Sequence, residues 1–354
     1  MFSVIILIFA AFNTYFTFLI HKELKSVVSN PGRWPAGSYV YDPEIGFDFA
    51  TNVSAPIKDN SFYVKSHRLG YRISKRRNSC RYSTGGVMSL GCSFTYGDEV
   101  ESNETFTQVI ADNLRIHAYN YGVCSFSYIH ALLKAKKLKD LGILDNLQPK
   151  YLVLGCWEGL VDRSKTPFPP LSTKSLPIAS AYIIKDGEDL RINSPLNTKH
   201  TFDMVNLYRN EGVEMSFNKF VKIFFTAPRY IYLYLHNKLL FQRQQKRDFN
   251  NNISEYDVYS FYFTEIEKLF SKYKTKIIVL YMPTSPKNHA GEGLKKALAD
   301  HSNIMFVDGL KAIEKYDVST KDYQGKHPQA NAHKAYGLET ASMIRLSMRN
   351  RIKH

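Results

Sequence analysis

The sequence predicts an α/β protein built on a parallel sheet and preceded by a membrane-spanning helix. Three observations predict it. Short apolar runs ending in small residues alternate with amphipathic stretches of helical length. Phe2 to Ile20, FSVIILIFAAFNTYFTFLI, runs nineteen residues without a charge, about the length that crosses a bilayer core. The composition is that of a folded chain: 354 residues, 44% hydrophobic and 22% charged, which excludes wholesale disorder. Four cysteines, none in a CxxC pair, exclude a disulfide scaffold and a cysteine-based zinc site. The net charge of +15 favours anionic partners and says nothing about fold.

Taken in order, residues 1–27 read as an uncleaved single-pass anchor and its flank. No Lys or Arg precedes the apolar run and no A-x-A-like site follows it, as a cleaved signal would require. A buried N-terminal helix is the other reading. Lys22, Lys25 and Arg33 follow the span, which favours a cytoplasmic domain after it. Residues 28–85 read as a Pro/Gly linker (28–43) and a basic lead-in holding Arg68, Arg72, Lys75, Arg76, Arg77 and Arg81.

The α/β domain then spans 86–354. Strands are predicted over 87–91, 118–123, 151–156, 276–282 and 304–307. Helices are predicted over 104–114, 128–144, 256–273, 291–301 and 331–352. Strands alternating with helices imply right-handed βαβ units and a sheet covered on both faces. Residues 164–253 interrupt this rhythm and read as an inserted cap. The insertion holds a Pro-rich stretch, a hairpin turning at Asp186-Gly187, and an aromatic and basic segment over 217–247. That segment is either a buried helical pair or a membrane-surface helix carrying Lys219, Lys222, Arg229 and Lys238 to headgroups.

Ligands of an open parallel sheet bind beyond the carboxyl ends of its strands. The first strand ends in Gly91-Cys92-Ser93-Phe94-Thr95-Tyr96-Gly97, where a turn serine between glycines can expose its Oγ. After the last strand comes Gln324-Gly325-Lys326-His327-Pro328-Gln329. A histidine there can reach the serine as its general base. Cys92, Cys124 and Cys156 end the first three strands and read as small packing residues. Metal is discounted and no cofactor is expected.

These segments, LGCSFTYGDEV, NYGVCS and QGKHPQANAH, resemble the conserved blocks of the SGNH (GDSL-like) hydrolases. The resemblance covers about residues 40–160 and 275–350. It implies a flavodoxin-like three-layer sheet, with Ser93 as nucleophile and His327 as base. It also implies oxyanion contacts from the block around Gly122 and Ser125. The chain departs from the pattern at three points. The family's acid falls at Gln324, with Asp322 as a substitute if the loop bends. The oxyanion glycine falls at Ser125. The third block's asparagine falls at or near Glu158, where a carboxylate would oppose an oxyanion.

The resemblance implies a serine esterase or acyltransferase acting on O-acyl groups, of a carbohydrate or cell-envelope polymer. The alternative is a non-catalytic glycan-binding or assembly protein of the same fold. Envelope-modifying members face outward, against the charge asymmetry around the span. The expected partners are membrane lipids and an acylated carbohydrate. Nucleic acid is not expected, since no recognition module accompanies the charge.

Overall fold

The computed structural model describes residues 2–29, 38–57, 62–73, 84–167, 178–228, 253–325 and 327–352. The chain divides into two compact units. One gathers residues 1–48, 167–180 and 194–252; the other gathers 49–166, 181–193 and 253–354. The sequence places its boundaries elsewhere, at 27, 85 and around the insertion 164–253. The division by contacts gives the hairpin of that insertion to the sheet unit and the helices that follow it to the N-terminal unit.

The larger unit is a mixed α/β structure around a parallel five-stranded sheet. Its strands are β1 (Val87–Leu90), β2 (Ala118–Asn120), β3 (Tyr151–Cys156), β4 (Lys276–Tyr281) and β5 (Met305–Asp308). Their spatial order is 2-1-3-4-5, the flavodoxin-like order, with the switch point between β1 and β3. Every residue of β1 and β3 is buried, which is why both read as continuous apolar runs rather than alternating ones. β2 is three residues long. Beyond it the chain stays beside β1, with the Tyr121 N–H bonded to Ser89 O and the Val123 N–H to Gly91 O.

The helices form two groups. Phe106–Leu114 packs on the closing helix Ala330–Ile352, and Tyr128–Asp140 and Glu292–Asp300 pack on Glu255–Phe270. Thr105, Ser127 and Ser254 cap three of these by accepting a backbone N–H from the first turn. The hairpin has Tyr182–Asp186 antiparallel to Asp189–Asn193, with Asp186 opposite Asp189.

Part of the expected lead-in is ordered structure. Ser54–Ile57 pairs antiparallel with Phe62–Lys65, and Arg72 bridges to Asn120 beside the main sheet. Charge hid this in the sequence, because a basic segment reads as a solvated one. Lys75, Arg76, Arg77 and Arg81 lie outside the described residues.

In the smaller unit, Phe2–Ser29 is one helix, and Ser3–Ser26 is long and apolar enough to cross a membrane (mean hydropathy 2.1); a signal sequence meets the same criterion. Its burial is inverted. Asn13, Thr17, Ile20 and Leu24 are buried, whereas Val4 to Phe9, Phe12, Tyr15 and Phe18 are exposed. The helix packs on Lys199–Glu211, where His21 Nδ1 meets the Tyr208 hydroxyl. Phe18 lies beside Phe220 of the helical segment 217–228, with ring centroids 6.1 Å apart. Of the two readings of this segment, the one that carries Lys219 to headgroups does not hold for that residue. Lys219 is 2% exposed, and its Nζ donates to the carbonyls of Glu211, Gly212 and Glu214 at 3.0, 2.6 and 2.9 Å. A cation there satisfies carbonyls left unpaired at a helix end. Lys222 pairs with Glu211 at 3.3 Å. Arg229 and Lys238 lie outside the described residues.

Candidate active site

Ser93 sits where β1 gives way to a single helical turn, Ser93–Tyr96. Gly91 makes the bend possible. Its φ is +153°, and a Cβ there would fall 2.2 Å from Thr95 Oγ1. Ser93 accepts the N–H groups of Gly97 and Asp98 at 2.8 and 3.2 Å, which closes the turn on itself. The turn's other carbonyls are held from outside. Asn120 Nδ2 donates to Thr95 O at 2.8 Å. Arg72 is 5% exposed, and its guanidinium donates to the carbonyls of Tyr96, Gly97 and Val100. Arg72, expected to be part of a basic lead-in, is therefore a brace for the nucleophile turn. Its bridge to Asn120 carries the guanidinium to that spot, and distance along the chain concealed it.

His327 arrives from the far end of the chain. Its Nε2 lies 2.9 Å from Ser93 Oγ. The loop that carries it is pinned by two backbone bonds, from Gly325 N–H to Thr284 O at 2.9 Å and from Gln329 N–H to Asp322 O at 2.7 Å. The ring of Phe94 stands edge-on to the imidazole at 5.4 Å, and Phe94 stacks on Trp157 at 5.1 Å.

The residues expected behind His327 are elsewhere. Gln324 is exposed, and Asp322 accepts a hydrogen bond from Asn331 at 3.0 Å. The carboxylates that face Nδ1 are Asp98 at 4.0 Å and Glu99 at 3.8 Å. Both belong to the GDEV segment that directly follows the nucleophile turn. The family spacing directs attention to the histidine's own loop, so the sequence reading passed over them; an acidic pair so close to the serine was the available signal.

Glu158 does not stand free at the site. Its carboxylate accepts from Thr284 Oγ1 and Asn288 Nδ2, and the Tyr281 hydroxyl lies 3.2 Å from its other oxygen. Burial, and then the Glu158 charge, push the Tyr281 hydroxyl pKa up, so it stays protonated. Thr284 is also the residue whose carbonyl holds Gly325, so Glu158 steadies the loop behind the histidine. The Glu158 oxygens are thereby engaged in holding the loop beyond β4.

Two backbone groups of the segment after β2 differ in availability. Gly122 donates its N–H to Asn120 Oδ1 at 2.9 Å, so that group is committed to structure. Ser125 holds φ +70°, a left-handed backbone that favours glycine. Neither the Ser93 nor the Ser125 N–H has a hydrogen-bond partner among the described residues. Cys92 and Cys156 are buried; burial pushes the Cys156 thiol up to about 12, an unreactive packing group. Cys124 is half-buried and donates to Asp98 Oδ1 at 3.4 Å.

With this geometry in place, the chain can be compared with known proteins. No family model and no curated protein matches it. Among solved structures it is similar to a carbohydrate esterase family 2 enzyme with a carbohydrate-binding domain from Corynascus thermopiles (Myceliophthora fergusii). That likeness has 11% identity and TM-score 0.36, over 79% of this chain and 70% of that one. It is also similar to an acetyl xylan esterase, Est2A, from the rumen bacterium Butyrivibrio proteoclasticus, at 11% identity and TM-score 0.36, over 77% of this chain and 66% of that one. Neither likeness is close enough to carry an argument about function.

Proposed function

We propose that this chain is a membrane-anchored serine esterase of the SGNH type, acting on O-acyl groups of a carbohydrate. The observation that carries the reading is the 2.9 Å contact between Ser93 Oγ and His327 Nε2, made between residues from opposite ends of the sheet unit. His327 takes the Ser93 proton as Oγ bonds to the acyl carbon. The carbonyl oxygen becomes an oxyanion opposite the N–H groups of Ser93 and Ser125. His327 then gives its proton to the departing sugar hydroxyl, leaving an acyl-serine. Water, deprotonated by His327, attacks that ester, and the proton returns to Ser93 as the carboxylic acid leaves. A second sugar hydroxyl in place of water would make the same cycle an acyl transfer. The choice of a carbohydrate acceptor rests on the motif resemblance.

The anchor is part of the proposal. Phe2–Ile20 is read as a retained span because Asn13 and Thr17 are buried while Val4 to Phe9, Phe12, Tyr15 and Phe18 are exposed. A helix in water buries the opposite set, whereas a helix in lipid has this arrangement.

The test is labelling with a fluorophosphonate probe together with hydrolysis of p-nitrophenyl acetate. The parent is expected to do both. Ser93→Ala removes labelling, and Ser93→Ala and His327→Gln each lower turnover by at least ~10³-fold. A parent that neither labels nor turns over removes the esterase reading and leaves glycan binding, measurable on an acylated polysaccharide column.

A further inference from the structure

We propose that Asp98 and Glu99 together supply the counter-charge that orients His327 and stabilises it as imidazolium, with Gln329 as the positioning residue that fixes Glu99 against the histidine. The proposal rests on the serine-esterase reading and identifies the acid that reading lacks.

Each carboxylate has one oxygen turned to the ring and the other held. Asp98 Oδ2 stands 4.0 Å from His327 Nδ1 while Asp98 Oδ1 accepts the Cys124 thiol at 3.4 Å. Glu99 Oε1 stands 3.8 Å from Nδ1 while Glu99 Oε2 accepts from Gln329 Nε2 at 2.6 Å. The same Gln329 amide reaches the His327 carbonyl at 3.0 Å, so one side chain ties the acid to the backbone of the base. The side chains are half-buried, 23% exposed for Asp98, 22% for Glu99 and 30% for His327, so water screens the interaction only in part.

The separations are those of an ion pair and exceed a hydrogen bond. Catalytic hydrogen bonds in unliganded sites are commonly long and tighten when substrate binds. A carboxylate on this side of the ring favours the tautomer with the proton on Nδ1, which turns the Nε2 lone pair to Ser93 Oγ. Once Nε2 holds the serine proton, both carboxylates attract a full positive charge that the ground state does not have. That difference lowers the barrier rather than only tightening binding. No proton passes to either acid. The pair replaces a single acid in hydrogen-bond contact, and the short link from Ser93 to Asp98 and Glu99 lets one turn carry both the nucleophile and the charge that supports its base. Asp322 and Gln324 are not paired with His327 in this arrangement: Asp322 is bonded to Asn331 and Gln324 is exposed.

The experiment uses the full chain in detergent and two readouts. Turnover of p-nitrophenyl acetate is measured for Asp98→Asn, Glu99→Gln, the double variant and Gln329→Leu, with thermal melts to confirm folding. The low-field imidazole N–H resonance, assigned by its loss in His327→Gln, is followed by proton NMR in the same proteins. Each single amide is expected to lower kcat ~10-fold and the double ~10³-fold with KM unchanged, approaching the ~10⁴-fold loss seen when a serine protease acid becomes an amide. Gln329→Leu falls with Glu99→Gln and adds nothing to it, as a positioning residue should. The N–H resonance moves upfield in each single and further in the double. If the double variant does not fold, the two singles decide. An inactive parent whose N–H resonance still responds to both amides upholds the charge pairing and removes the esterase reading. A double variant that keeps turnover within threefold and an unmoved resonance overturns the proposal, as does a loss that instead follows Asp322→Asn.

Discussion

Ser125 is the residue at which backbone conformation and side-chain identity disagree. A non-glycine residue at φ +70° is strained by roughly 1–2 kcal/mol, while glycine gives back part of that through the freedom of the unfolded chain. Ser125→Gly is therefore expected to raise stability by about 0.5–1 kcal/mol, read as a shift in the urea midpoint. Esterase turnover should persist, because the contribution asked of Ser125 is its N–H, which glycine keeps. A loss of turnover in a stabilised Ser125→Gly protein would mean that the hydroxyl itself contacts substrate. At the same scale, Glu158 shows how a residue that departs from a motif takes a structural part once its partners are known. Thr284, Asn288 and Tyr281 come from the end of β4 and the loop beyond it, and no spacing rule links them to Glu158.

Elements here are held at their ends by groups that titrate. His130 closes a capping box with Ser127, its Nδ1 accepting the Ser127 N–H at 2.8 Å. His333, near the start of the closing helix, accepts the Phe106 N–H at 3.3 Å. Burial, helped by the nearby Arg163 charge, lowers the His130 pKa to about 3, and burial with Arg72 and His327 lowers that of His333 to about 3. Unfolded, each would titrate near its ordinary value of about 6.5. Above that pH both states are neutral and stability is complete. Below it the unfolded chain takes up protons that the folded one refuses, so stability falls from about pH 6.5 toward pH 3. Urea midpoints measured at pH 7, 6, 5 and 4 should decline steadily. His130→Gln retains a capping-box side chain without the titration, so its decline should be shallower. Equal slopes for parent and variant would mean that His130 is not held neutral.

At the scale of the molecule, the proposed anchor gives the N-terminal helix two roles in one continuous stretch. Val4 to Phe9 and Phe12 are exposed and apolar, whereas Phe18, His21 and Lys25 meet Phe220, Tyr208 and Glu214 within their own unit. A truncation that removes the whole span also strips these contacts. Deleting residues 2–16 is expected to release the protein from membranes in carbonate extraction and keep it monodisperse. Deleting residues 2–27 should release it with a lower melting temperature, because Tyr208 and Phe220 lose their cover. Retention of both truncated forms in the membrane would move the anchoring function to the segment after residue 216, where Phe217 and Phe225 are exposed.

The amino-acid order by itself determined the parallel sheet, the place of its strands, the apolar span and the two residues that meet at 2.9 Å. These are consequences of local pattern: a strand buried on both faces must be apolar throughout, a span must be long and uncharged, and short motifs sit at strand ends. Boundaries slipped where a local feature gave no periodic signal, as when the predicted helix 128–144 stops at Asp140 and a separate turn begins at Ile143. The tertiary structure alone decided which carboxylates face the histidine, what braces the nucleophile turn and whether Glu158 is free. Those depend on side-chain direction across residues separated by up to 230 positions, as between Glu99 and Gln329. Arg72 read as part of a basic lead-in because a charge is identified as buried only by its partners, and partners are a property of the fold.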